Sequence, residues 1–276
     1  MLKIFNFSTL NCYLDQTTRS LHVFIDNGEH NYFNSELLFE FETLVAWVNE
    51  HIEISALFIA SNLEQFSDGI DPELLSSLNR DQLENFLIRL RKINLKLTQL
   101  AQTIVIDVGS GCANVAAEFI LCADIRISRF DTKIKFDHHY LGLIPASGGI
   151  SLLSELTNPN FAKSWILGGT NISIKQLTNS GLIFETYQDG DAREKIVSTL
   201  LNNFQHQSSL SRIQSKFGLS QLGDQNPMEK ADLENSILKA FVQEEEWLKA
   251  KEKKFANAKE VKQKIQLKLI KNETIN

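Results

Sequence analysis

The chain is poor in the residues that staple or interrupt small folds: three cysteines, four prolines and thirteen glycines among 276 residues. Cys12, Cys112 and Cys122 are odd in number and form no Cys-x-x-Cys pair, which excludes a disulfide framework and a thiolate zinc site of ordinary spacing. Long apolar runs are also lacking. Stretches such as residues 102–108 fall far short of the roughly 20 residues that span a bilayer, so no membrane insertion is expected. No repeat with a period of roughly 20 to 50 residues is visible, which excludes solenoids and propellers. The opening stretch, MLKIFNFSTL, has no extended apolar segment followed by a small-residue cleavage site. A reducing cytoplasm is therefore the expected location.

An overall excess of positive charge is missing as well. The formal charge is −6, yet residues 249–271 hold nine lysines against two glutamates, a surplus of seven that leaves −13 on the remainder. An acidic body argues against nucleic acid as a partner. The lysine-rich stretch reads first as a solvated helix face and second as a patch for a polyanion.

What is present is a core. The apolar share is 43%, too high for disorder, and the length suits one large or two modest domains. Residues 21–25, 56–60 and 103–108 are apolar runs rich in β-branched residues and predict strands. Between the first two, Leu37, Leu38, Phe41, Leu44, Val45 and Val48 recur at three- and four-residue steps behind Asn34 and Ser35, predicting a capped amphipathic helix. Between the second and third, Leu83, Phe86, Leu87, Leu90, Ile93 and Leu97 keep the same period. Alternating strands and helices predict an α/β core with a mostly parallel sheet. Residues 132–140 read as extended and 208–226 as a linker. Beyond these, Pro227 precedes an apolar stripe of Leu233, Ile237, Phe241, Leu248 and Phe255.

Two readings compete for the loop after the third strand. As a phosphate cradle, Gly109-Ser-Gly111-Cys-Ala-Asn114 with Asp131 beyond it would approximate a dinucleotide site, although Asn114 stands where the third glycine belongs. The other reading takes four segments together: FSDGID (66–71), IVIDVGSGCANVAAEFILCADIRI (104–127), LGLIPASGG (141–149) and LGGTNISIKQLTNSGL (167–182). In order and spacing this set resembles the crotonase, or enoyl-CoA hydratase/isomerase, family.

The resemblance implies a crotonase-like ββα spiral core over residues 1–200 and a C-terminal helical region for trimerisation or lid formation over 201–276. It implies an enzyme of fatty-acid type metabolism acting on acyl-CoA or another thioester, with coenzyme A arriving as part of the substrate and no permanently bound cofactor. A homotrimer or hexamer is the expected assembly, and the lysine-rich end could meet the CoA phosphates.

Carried over position by position, the backbone N–H groups of Ile70 and Val115 would form an oxyanion hole stabilising an enolate-like charge. Phe66, Asp68, Gly69, Asn114 and Tyr140 would line the substrate. Asn114-Val-Ala116 replaces a family glycine run, and Val115 adds bulk beside the acyl group. Two family carboxylates fall on Glu118 and His138. An imidazole can exchange protons near neutral pH and can pair with Glu118, whereas two carboxylates repel. If extended, residues 136–140 put Phe136, His138 and Tyr140 on one face, with Asp137 on the other. No metal is expected, because Asp137, His138 and His139 alternate in direction and lack a spaced third ligand. The departures at 114–116 and 138 leave open a thioesterase, decarboxylase or C–C hydrolase, or a non-catalytic assembly subunit.

Overall fold

The computed structural model describes residues 1–220, so the lysine-rich stretch and the stripe after Pro227 lie outside the described residues. In chain order the strands are β1 (Leu2–Lys3), β2 (Leu10–Asp15), β3 (Ser20–Ile25), β4 (Ala56–Ser61), β5 (Thr103–Asp107), β6 (Gly111–Ala113), β7 (Ile125–Arg129), β8 (Lys133–Lys135) and β9 (Glu185–Tyr187). The helices are α1 (Ser35–Glu50), α2 (Pro72–Ser77), α3 (Arg80–Gln99), α4 (Asn114–Phe119), α5 (Ser151–Leu156), α6 (Pro159–Gly168), α7 (Ile174–Asn179), α8 (Gly190–His206) and α9 (Ser209–Ser220).

Seven strands form one sheet in the order β1-β2-β3-β4-β5-β7-β9. The β1–β2 and β2–β3 pairings are antiparallel, and from β3 onward every pairing is parallel. The central strands are apolar throughout because both faces are covered. Leu57, Ile59, Ile104 and Ile106 face a core shared with α1 and α3, whereas Ala56, Phe58, Ala60 and Val105 face Val197, Leu201 and Phe204 of α8. The side-chain period of two thus sorts each strand between two helical layers.

Both predicted crossover helices are present and capped. Asn34 Oδ1 accepts from Leu37 N–H at 2.9 Å, and Asn79 with Gln82 closes a capping box at the start of α3. The N-terminal strands are fixed to α1 by one buried acid, Glu40, which accepts from the N–H and hydroxyl groups of both Ser8 and Thr9. Burying that carboxylate is tolerable because its lone pairs are taken up.

Three local expectations are corrected. Residues 208–226 do not read as a linker over their first half, since α9 occupies Ser209–Ser220. The extended stretch stops at Lys135, and His138–Leu141 is a 3-10 turn closed by Leu143 N–H on His138 O at 2.9 Å. The Gly-rich loop enters a short strand, β6, paired in parallel with β8, rather than opening a helix directly. The chain divides into two compact units, Met1–His206 and Gln207–Asn276, and α8 runs uninterrupted across residue 200. Among the described residues, no helix is long and apolar enough to cross a membrane.

Candidate active site

Three segments meet where β6 passes into α4. The first, residues 66–71, follows β4 and is held on both edges. Phe33 N–H donates to Gly69 O at 2.7 Å and Asp71 N–H to Phe33 O at 3.1 Å, while Phe66 N–H donates to Gly111 O at 2.9 Å. Ser67 Oγ accepts from Gly69 N–H at 3.0 Å and donates to Asn31 O. So clamped, the segment presents the Ile70 N–H in a fixed direction.

The second segment is the start of α4, where Val115 offers its own N–H. These two amides, from distant positions in the chain, converge on one atom: Ile70 N–H reaches Asn114 Oδ1 at 2.8 Å and Val115 N–H reaches it at 2.9 Å. The carboxamide cannot be turned around. Its Nδ2 faces two acceptors, the Asp137 carboxylate Oδ1 at 3.3 Å and the Asp68 backbone carbonyl at 3.4 Å, so oxygen must point to the amides and nitrogen to these acceptors. Asn114 holds this pose with φ at 35°, a left-handed value that asparagine tolerates better than most side chains. Gly69 makes the space, because a methyl group there would overlap the Asn114 carboxamide.

The third segment carries the acid/base candidates. One turn along α4, Glu118 Oε1 lies 2.9 Å from His138 Nε2. Glu118 Oε2 accepts from Ser147 N–H at 2.6 Å and Gly149 N–H at 2.9 Å, so both carboxyl oxygens are engaged. The loop donating those bonds is pinned to α3, with Asn94 Nδ2 donating to Ser147 O at 2.8 Å and Ser147 Oγ to Leu87 O at 3.2 Å. Among the described residues, His138 Nδ1 has no partner. Glu118, His138 and Val115 are fully buried, and Ile70 and Asn114 nearly so, at 2% and 4% exposure.

The structure therefore brings Ile70, Gly69, Asn114 and Val115 to one point, and Glu118 and His138 to another on the same short helix. Asp68 contributes its carbonyl there, while its carboxylate pairs with His30 at 2.7 Å. Phe66 is a core residue stacked near Phe119. Tyr140 is displaced by the 3-10 turn: it is 76% exposed, with its ring against Gly169, instead of sharing the buried side of Phe136 and His138.

Asp137, expected on the face opposite His138, orients Asn114 instead, its Oδ1 accepting from both the Asn114 N–H and Nδ2. Ser147, within the LGLIPASGG segment, supplies a backbone donor to Glu118. Neither role was visible in spacing, because each depends on a contact across more than twenty residues.

The loop offers little room for a pyrophosphate. Methyl groups on Gly109 or Gly111 would overlap Glu64 O and Lys133 O, so these glycines serve close approach of the chain to itself. Asp131 is taken by Arg129. Among the described residues no group of three or more His, Cys, Asp or Glu side chains is arranged to hold a metal. Burial, then the Asp137 charge, pushes the Cys112 thiol far above its ordinary range, so no thiolate nucleophile sits beside the site.

Comparison with known proteins adds an independent finding. A family model described as enoyl-CoA hydratase/isomerase matches residues 21–262. The chain is similar to YhaR of Bacillus subtilis (strain 168), 26% identical over 176 residues that cover 62% of this chain and 68% of that protein. It is also similar to ethylmalonyl-CoA decarboxylase of Homo sapiens, 24% identical over 174 residues, and there it spans about half of the relative, 54%, and 60% of itself. A crystal structure of enoyl-CoA hydratase from Bacillus anthracis superposes with a TM-score of 0.83 at 18% identity, covering 90% of this chain and 97% of that one. The spiral α/β architecture expected from the motifs is thus the architecture observed.

Proposed function

From the premise that the chain belongs to the enoyl-CoA hydratase/isomerase family, we propose that it processes an acyl-CoA, or a similar thioester, by hydration or double-bond isomerisation. The observation that carries this reading is the convergence of the Ile70 and Val115 N–H groups on a single oxygen. A thioester carbonyl oxygen placed at that point would receive two hydrogen bonds that strengthen as negative charge develops. Each such donor is worth about 2.7 to 4 kcal/mol in the transition state. Coenzyme A enters as part of the substrate, and no resident cofactor is invoked.

In this reading Glu118 and His138 handle the proton at the substrate α- and β-carbons. Their shares differ. Both oxygens of Glu118 are already coordinated, whereas His138 keeps one ring nitrogen unengaged among the described residues. That asymmetry favours a second reading, decarboxylation of a 2-carboxyacyl-CoA. Loss of carbon dioxide generates the enolate without a base, and only a proton donor is needed afterwards. The same proposal carries a homotrimer or hexamer, a cytoplasmic setting, and a division of labour between residues 1–200 and 201–276.

The test is to incubate the full chain with crotonyl-CoA, longer enoyl-CoAs and a 2-carboxyacyl-CoA, following the enoyl absorbance and carbon dioxide release. Turnover that collapses in Glu118→Gln supports hydration or isomerisation, and turnover of the 2-carboxyacyl-CoA alone supports decarboxylation. If no thioester turns over in wild type, the chain is a non-catalytic member of the fold and the enzymatic reading falls.

A further inference from the structure

The site contains its own occupant. Asn114 Oδ1 is a carbonyl oxygen on a planar trigonal carbon, as a thioester oxygen is, and it sits where both amide donors point. We propose that the Asn114 carboxamide is a resident competitor of the thioester carbonyl, so that an acyl-CoA is accepted only by displacing it, and that residue 114 thereby sets which thioesters are admitted. This rests on the thioester reading given above.

Four observations carry the inference. The two bonds on Oδ1 are short, 2.8 and 2.9 Å, whereas those from Nδ2 are long, 3.3 and 3.4 Å. The carboxamide is therefore held mainly through the oxygen that a substrate would replace. The space beside Gly69, which a side chain there would fill, is taken by Asn114. With Asn114 in place the amides are sealed from solvent, Val115 completely and Ile70 to 2%. The backbone at Asn114 has φ of 35° and Oδ1 bonds to the very next amide, so the oxygen is carried on side-chain torsions distinct from those that set the helix start.

Displacement is close to an even exchange of hydrogen bonds. The incoming carbonyl remakes the two that Oδ1 gives up, and the carboxamide finds water or substrate groups. What remains is the bias toward the closed pose. A protein that is open for a fraction f of the time binds with its dissociation constant divided by f, so a closed-to-open ratio of about 10 to 100 weakens binding by about that factor.

Acetoacetyl-CoA is the suitable probe, since polarising its thioester carbonyl favours the enolate, whose ultraviolet band reports occupancy of the two amides directly. It is titrated into full-length wild type, Asn114→Gly and Asn114→Ala, following both heat and the band, with circular dichroism confirming the fold of each. The expected result is at least ~10-fold tighter binding and a stronger band in both variants. Equal affinity and equal band in all three proteins would overturn the competitor while leaving the thioester reading intact. Absence of binding in all three would overturn both. Wild type supplies a check that needs no variant: at saturating probe the Asn114 side-chain NH2 resonances must shift, and unshifted resonances refute displacement.

Discussion

The sharpest quantitative consequence concerns Gly69. Replacing it with alanine introduces two distinct penalties. The backbone sits at φ of 93°, outside the region an L-residue adopts comfortably, which costs about 1 to 3 kcal/mol. The new methyl group also overlaps the Asn114 carboxamide, and overpacking of this kind costs about 1 to 3 kcal/mol more. In wild type the substitution is therefore expected to destabilise by about 2 to 6 kcal/mol. If Asn114 is first changed to glycine, the overlap disappears and only the backbone penalty remains. A double-mutant cycle by urea denaturation should then give a coupling of about 1 to 3 kcal/mol, with Gly69→Ala milder in the Asn114→Gly background. Additivity within about 0.5 kcal/mol would show that the carboxamide does not occupy the space beside Gly69, and the account of the closed site would fail with it.

Other expectations follow from the same geometry. Glu118→Gln should lose about 2 to 4 kcal/mol, because neutral bonds replace charged ones and His138 must move its ring proton to Nδ1, which has no partner among the described residues; a change under about 0.5 kcal/mol in urea unfolding would contradict this. All three cysteines are buried, and burial followed by the Glu40 charge pushes the Cys12 thiol up to about 12, so Ellman's reagent at neutral pH should label none in the native unit and all in denaturant. His22, on β3 against Phe58, is held below its ordinary range first by burial and then by the Arg193 charge, with Asp15 opposing. A folded value below the unfolded one means the unfolded chain takes up the proton first, so this contribution is present above about pH 6.5 and is lost as pH falls below it. A His22→Asn variant should show a shallower loss of stability between about pH 7 and 5, and an unchanged slope would rule out His22 as its source.

Much of the fold could be read from local pattern. β3, β4 and β5 announce themselves as apolar runs because both their faces are buried, and α1 and α3 through a 3.6-residue period with caps. Strands β1 and β2 escaped because one is two residues long and the other mixes Asn11 and Tyr13 with its inward Leu10 and Cys12. The turn at His138 escaped because it depends on a left-handed Gly142 that ends it, φ 68°, and the intervening residues suit a strand equally well. In the site, the pairing of Glu118 with His138 was legible from position within the motifs. The departure at 114–116, including the bulk of Val115, is visible in the sequence. The contact made by Asn114 escaped, because whether a carboxamide can reach an amide 44 residues earlier is a property of three-dimensional placement and not of spacing.

The clamp on Glu118 bears on how the chain reaches its native state. Its carboxylate gathers donors 29 and 31 residues downstream, and the Ile70 amide finds its acceptor 44 residues away. None of these contacts forms until long loops have closed, so they add nothing to early, local structure and reward only a chain whose crossovers are already in place. The protection of the Ile70 and Val115 amides against hydrogen exchange should accordingly track opening of the whole unit rather than fraying of its parts, making this corner of the molecule a gauge of completed folding.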